Sequence, residues 1–442
     1  MAERIIEGRR ESLRNSFFDG LFASINLGFT QNYLTPFALL LGANSFQIGL
    51  ISSFPQLASS LTQIISPDLI ERWPKRVKFI SYAVFLQAFL WLLISFLPFL
   101  PGEKIFLYIL LLTLNTSFGS AATPVWQSLM SDTVEKERYG AYFAWRGRVL
   151  GFVTLIANFT AGFLLFLFAD EKVFGFFLLF FISAITRAIS GYFISRMVEI
   201  PLRVVPERRF SYFGFIKRLP ESNFVKFTLF VSLMNFATFI AAPFFSVYML
   251  RDLKFAYSTY TLITTSSTLA SLLTLPFWGR YGDRYGNARM LKVSALLIPL
   301  IPLLWLISAN PIFLILINAF AGYAWSGFNL CAVNFIFDAA SPEVRTRCLG
   351  YFNFTNGIAL FFGGLIGGYL AGRVPNLFFR SPLLTLFLIS GILRLLTNLF
   401  LLKRFREVRG VEPIEGKELL SVVLGLKPVL SLSEDLLFWK KR

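Results

Sequence analysis

Gly279-Arg280-Tyr281-Gly282-Asp283-Arg284-Tyr285-Gly286-Asn287-Ala288-Arg289 interrupts two long apolar runs. One hydrophobic helix must stop here and another must start, with an acid-base pair held between glycines and three arginines close by. Such a hinge belongs at a membrane surface, where charges remain hydrated while the flanking helices enter lipid.

Composition agrees with that placement. Of 442 residues 55% are hydrophobic and only 15% charged, against about a quarter charged in soluble domains. The net charge of +17 is not spread evenly. Basic clusters occupy alternate connectors, at 4–14, 72–78, 196–218, 280–289 and 403–409, and the connectors between them carry few Lys or Arg. That alternation is the positive-inside pattern and leaves no continuous basic face, so nucleic acid is not an expected partner. Histidine is absent and the two cysteines, Cys331 and Cys348, are not clustered. Metal sites and Ser-His or Cys-His catalysis therefore lose their usual groups; no cofactor, no metal and no enzymatic activity are expected. A disulfide is not expected on the basic side. Residues 1–15 lack the apolar core of a cleaved signal peptide.

Twelve apolar runs of spanning length follow: 16–42, 46–70, 77–98, 104–130, 140–168, 173–196, 223–250, 258–281, 288–308, 311–337, 347–371 and 381–402. The even number returns both termini to one side, the cytoplasmic one by the charge rule. Short turns such as Gly42-Ala43-Asn44-Ser45 make neighbouring helices antiparallel. The connector 200–222, with Pro201, Pro206, Arg208 and Arg209, divides the chain into helical halves at 1–199 and 223–405. A tail at 406–442 remains, with an amphipathic stretch at 415–426. It reads either as an interfacial helix or as a docked cytoplasmic segment.

The halves repeat. Leu57-Ala58-Ser59 recurs as Leu269-Ala270-Ser271, and Glu71-Arg72 aligns with Asp283-Arg284. Asn115 and Gly119 keep the spacing of Asn318 and Gly322, and Ile182 to Arg187 recurs at Ile389 to Arg394. Matches in one order imply duplicated bundles related by an axis along the membrane normal.

Over nearly the whole chain these features resemble the major facilitator superfamily of secondary transporters. Its loop signature is Gly, three residues, Asp-Arg, one residue, Gly, then basic residues. Gly279, Asp283, Arg284, Gly286 and Arg289 fit it; the first copy keeps Arg72 but has Glu71 for the acid and prolines, Pro67 and Pro74, for the glycines. The resemblance implies an all-α polytopic membrane protein of twelve transmembrane helices in two pseudo-symmetric six-helix bundles. It also implies a cytoplasmic gate in which Arg72 meets Asp132 and Arg284 meets Asp338. The competing reading makes these arginines topology determinants alone. Two proton-antiport signatures are missing: Asn115 stands where an arginine is expected, and no proline follows Gly147 and Gly151.

By the same resemblance helices 1, 4, 7 and 10 line a cavity. Its candidates are Asp19, Asn26 and Tyr33 at seven-residue spacing, Asn115 and Trp126, Asn235, and Asn318, Trp325 and Asn329. Amides and indoles suit a neutral or weakly charged organic solute; helix packing is the other reading. Asp19 is either a desolvated proton carrier or the partner of a nearby arginine. Arg187 and Arg394, at duplicated positions, are expected to make a shared structural pairing. The function expected is a solute transporter working by alternating access, monomeric, with membrane lipids and a small-molecule substrate as partners, in the cytoplasmic membrane. A lipid or lysolipid scramblase and a non-transporting sensor stay open as alternatives.

Overall fold

The computed structural model describes residues 2–72, 75–134, 139–199, 212–217, 221–340, 345–377 and 380–411. No strand occurs among them. The helices are α1 (Ala2–Thr30), α2 (Leu34–Leu40), α3 (Ser45–Arg72), α4 (Arg76–Phe96), α5 (Ile105–Thr133), α6 (Tyr139–Leu167), α7 (Lys172–Ser195) and α8 (Tyr212–Lys217). There follow α9 (Asn223–Phe239), α10 (Ala242–Val247), α11 (Tyr257–Tyr285), α12 (Asn287–Leu297), α13 (Leu300–Leu304), α14 (Pro311–Ala339), α15 (Arg345–Ala371) and α16 (Pro382–Leu401). A π-helical turn, Tyr248–Asp252, extends α10.

Three breaks have a common chemical cause. Proline supplies no N–H to the carbonyl four residues before it. Pro36 follows the α1/α2 break, Pro243 opens α10, and Pro299 and Pro302 separate α12 from α13. Joined across these short breaks, the helices form twelve rods plus the short connector helix α8.

Among the described residues nine stretches are long and apolar enough to cross a membrane, with mean hydropathies from 1.4 to 2.1. The rods containing α1, α3 and α11 fall outside that group because they are more polar. α1 carries Arg9, Arg10, Glu11 and Arg14, α3 is rich in Ser and Gln, and α11 is rich in Ser and Thr. Large apolar side chains such as Phe89, Phe106, Phe163, Leu273 and Leu399 lie exposed on the outer surface of the rods, as lipid-facing residues do.

The halves meet along two seams, α3 against α15 and α6 against α11. Glycines set the approach in both. Gly49 lies against Gly364 and Gly368, Gly364 also against Ser53, and Gly357 against Ser60. In the other seam Gly162 lies against Thr261 and Gly151 against Leu272. The arrangement changes along each seam: Gly350 and Gly147, on the same helical faces but nearer the basic end, have no described atom within 4 Å of a would-be Cβ. Both seams are close-packed at the end away from the basic loops, and toward the basic end α3 and α15 stay joined where Asn353 donates to Gln63 at 2.7 Å.

Corresponding contacts recur in the two halves. Glu199 accepts from the backbone N–H groups of Arg76 and Val77 at 3.1 and 2.8 Å, capping α4; Glu407 accepts from Ala288 N–H at 2.8 Å, capping α12. Asp132 at the end of α5 receives the first residue of α4, Arg76, and Asp338 at the end of α14 receives the first residue of α12, Asn287. The duplication expected from the sequence is present in these contacts.

Candidate functional site

A buried polar network crosses the first half. Arg187 of α7 donates to Gln87 Oε1 of α4 at 2.6 and 3.0 Å and to Ser190 Oγ at 3.2 Å. Ser190 donates to Asp19 of α1 at 2.7 Å, and Arg146 of α6 brings Nη2 to 3.9 Å from the same carboxylate. Arg146 also donates to the Ser16 carbonyl at 3.0 Å, and its guanidinium lies 4.6 Å over the indole of Trp126 of α5. Gln87 and Asn115 lock α4 to α5, each amide donating to the other's carbonyl at 2.9 and 3.0 Å. Gly20 leaves room for Arg146 to pass α1: a Cβ there would strike the guanidinium.

Asp19, Asn115 and Trp126 are thus united in one network, in which Asp19 lies 3.9 Å from Arg146. The other cavity candidates are dispersed. Asn26 donates to the Ser183 carbonyl at 3.0 Å, joining α1 to α7. Tyr33 is fully buried between the halves. Asn235 binds Asn356 of α15 at 2.8 Å; Asn318 turns back to Leu314 O in its own helix at 3.0 Å. Trp325 packs edge-on against Phe328, and Asn329 is exposed. Arg146, Gln87 and Ser190 were not among the candidates. Arg146 carries the same signal that singled out Arg187, a charge inside an apolar run, about two turns from the start of α6.

At the end away from the basic loops Tyr33 donates to Asn158 O and meets Thr261 Oγ1, both at 2.9 Å. Tyr260 donates across the halves to Asn32 O at 2.5 Å, and Asn158 links Asn32 at 3.2 Å to Thr265 at 2.6 Å. The closure joins α1, α6 and α11.

At the basic end the carboxylates of the expected gate have the following partners among the described residues. Asp132 is paired at 2.8 Å by Arg76, which is fully buried; the side chains of Glu71 and Arg72 lie outside the described residues. Asp338 accepts from Asn287 at 2.7 Å and faces Arg409 at 4.0 Å. Arg284, its expected partner, places its guanidinium 5.3 Å over the Tyr285 ring. Arg409 also reaches Asp283 at 3.8 Å, so the start of the tail adds a cation beside both carboxylates. The physical reason is proximity: Glu407 docks on α12 and delivers Arg409 two residues later. Gly286, with φ of 97°, forms the α12 N-cap in a conformation suited to glycine, and a Cβ there would collide with Glu407. Gly279 approaches only Leu330, at 3.8 Å. These contacts all lie within one half or the other.

With twin bundles, twin seams and a duplicated loop in place, comparison with known proteins decides the family. The model of the Major Facilitator Superfamily matches residues 17–222 and 227–439. The chain belongs to that superfamily. Among curated relatives, Multidrug resistance protein MdtG of Enterobacter lignolyticus (strain SCF1) is 30% identical over 176 residues, 39% of this chain and 40% of the relative. Multidrug resistance protein 2 of Bacillus subtilis (strain 168) is 25% identical over 150 residues, 33% of this chain and 35% of the relative. These matches span well under half of either relative. The nucleoside transporter NupG superposes with a TM-score of 0.66 at 17% identity, covering 89% of this chain and 97% of that one. A bacterial homologue of the iron transporter ferroportin, in an inward-facing state, gives 0.64 at 12% identity over 89% and 97%. At such identities the likeness is one of fold. Membership, with nine apolar stretches of spanning length among the described residues, makes this a membrane-integral chain of the superfamily's fold.

Proposed function

We propose that the protein moves a small organic solute across the cytoplasmic membrane as a secondary transporter, by alternating access, with the structure in its inward-open state. The observation that carries this is the polar closure by Tyr33, Asn158 and Tyr260 at the end away from the basic loops, with open space among the described residues at Gly147 and Gly350 toward the other end. In this reading the twelve rods are twelve spans, residues 1–199 and 223–405 are the rocking halves, and 200–222 is the linker. Both termini lie on the cytoplasmic side with the basic loops, and the working unit is a monomer. The Asp132 and Asp338 clusters hold the ends of α4 and α12 in register as each half moves. The tail beyond residue 411 lies outside the described residues, and its interfacial placement is not part of this reading.

The test is uptake in proteoliposomes. A panel of labelled nucleosides, sugars, organic acids and cationic drugs is expected to yield one class showing saturable uptake and counterflow. Translocation of fluorescent phospholipid without solute uptake would overturn the reading in favour of a scramblase.

A further inference from the structure

The buried network of the first half has more donors and more positive charge than it can use internally. Arg146 and Arg187 face a single carboxylate, Asp19, among the described residues around them. Three donors in the same contact cluster, Ser16 Oγ, Trp126 Nε1 and Arg146 Nε, are buried without a hydrogen-bond partner among the described residues. They are physically joined: Arg146 binds the Ser16 carbonyl and lies over the Trp126 ring. Trp126 Nε1 faces the Asp19 carboxylate at the margin of hydrogen bonding, and the Tyr142 hydroxyl lies beside the Arg146 guanidinium without reaching Nε. Buried donors left unsatisfied are costly, and a guanidinium whose Nε–H is unpartnered is suited to an oxyanion. The side chain of Arg146 retains 12% exposure, so the cluster is not sealed.

We propose that Ser16, Trp126 and Arg146 form the recognition site for a carboxylate group of the solute, with an apolar or aromatic body resting against Trp126 and Phe143. Phe143 stands edge-on to Trp126 at 6.2 Å and completes an aromatic corner. Arg187, held by Gln87, supplies background charge and positions Asp19 through Ser190. Asp19 then acts as the internal competitor for Arg146. The transported species is thus an organic anion, a narrower class than the neutral or weakly charged solute that the amides and indoles alone imply. The proposal rests on the transport reading for the fate of the anion, not for its binding.

The experiment is thermal unfolding of the purified full chain in detergent, at constant ionic strength, with benzoate, benzamide and benzylammonium as probes. Benzoate is expected to raise the unfolding midpoint and the other two to leave it unchanged. Arg146→Gln should abolish the shift and Arg146→Lys retain part of it. Trp126→Phe, which keeps a ring and removes the N–H, should weaken benzoate about tenfold, and Asp19→Asn should tighten it by a similar factor. These last two variants move in opposite directions, which a general loss of structure would not produce, so they carry the test should Arg146→Gln fail to fold. Equal stabilisation by benzamide, no stabilisation by benzoate, or an undiminished shift in every variant would overturn the site. Benzoate binding without uptake of any solute in proteoliposomes would sink the transport reading and leave the site standing. Solute uptake by protein that does not bind benzoate would do the reverse.

Discussion

At the scale of single residues, the carbonyls that prolines release are reused as docking points. Pro299 withdraws the donor from Ala295 O, which Asn398 meets at 2.7 Å; Pro302 withdraws it from Ile298 O, which Arg394 meets at 3.3 Å. Asn398 and Arg394 are one turn apart on α16, so a single face of that helix holds both sides of the break. Ile298 O also accepts from Ile301 N–H at 3.3 Å, leaving Asn398 with the less dispensable task. Asn398→Ala is expected to cost about 1–3 kcal/mol, because it leaves the Ala295 carbonyl buried and unsatisfied. Placing Pro299→Ala in the same chain restores an N–H and should shrink that cost. Denaturant unfolding of the four proteins of this cycle in micelles measures the coupling; additive losses would show that the carbonyl is not the link. The expected structural role of Arg187 and Arg394 was legible because a duplicated charge inside a supporting helix has little else to do. Their partners were not legible, since one is an amide in an apolar run and the other a backbone atom made available by a proline.

At the scale of elements, the legible part was the set of apolar runs. Runs of spanning length flanked by charge leave few alternatives in lipid, where backbone groups must be satisfied within the segment. The site was less legible because polar residues in such helices serve packing as readily as recognition. Asn115, Asn26 and Asn235 all bind neighbouring helices. The loop signature was sound as sequence but silent on its partners, since Glu407 and Arg409 reach it from the far end of the chain. Glu407 matters because the first turn of α12 has unpaired N–H groups and a positive dipole end. Glu407→Ala should therefore destabilise the protein by about 1 kcal/mol. It should also loosen Arg409 from Asp283 and Asp338, making 406–411 more sensitive to protease. Unchanged stability together with unchanged cleavage would show that the docking is incidental.

At the scale of the whole molecule, two states must differ by only a few kcal/mol for alternating access to run, so a small number of contacts can decide which end is open. The closed end rests on directional bonds between halves, and one of them again uses a proline: Pro36 frees Asn32 O, which takes the Tyr260 hydroxyl at 2.5 Å. Tyr260→Phe removes that donor while keeping the ring, which packs against Tyr33 with centroids 6.3 Å apart. One buried hydrogen bond is worth about 1 kcal/mol, or roughly a fivefold change in the ratio of states. The readout is Gly350→Cys in a Cys331→Ser, Cys348→Ser background, since no described atom lies within 4 Å of a Cβ at Gly350. A membrane-impermeant maleimide should label this thiol readily from the basic side, and Tyr260→Phe should slow labelling severalfold by populating the state closed there. Adding Asn158→Leu, which cuts the link to Thr265, should slow it further. If labelling is indifferent to both changes, the polar closure does not set the equilibrium, and control of the transition passes to the glycine-packed seams themselves.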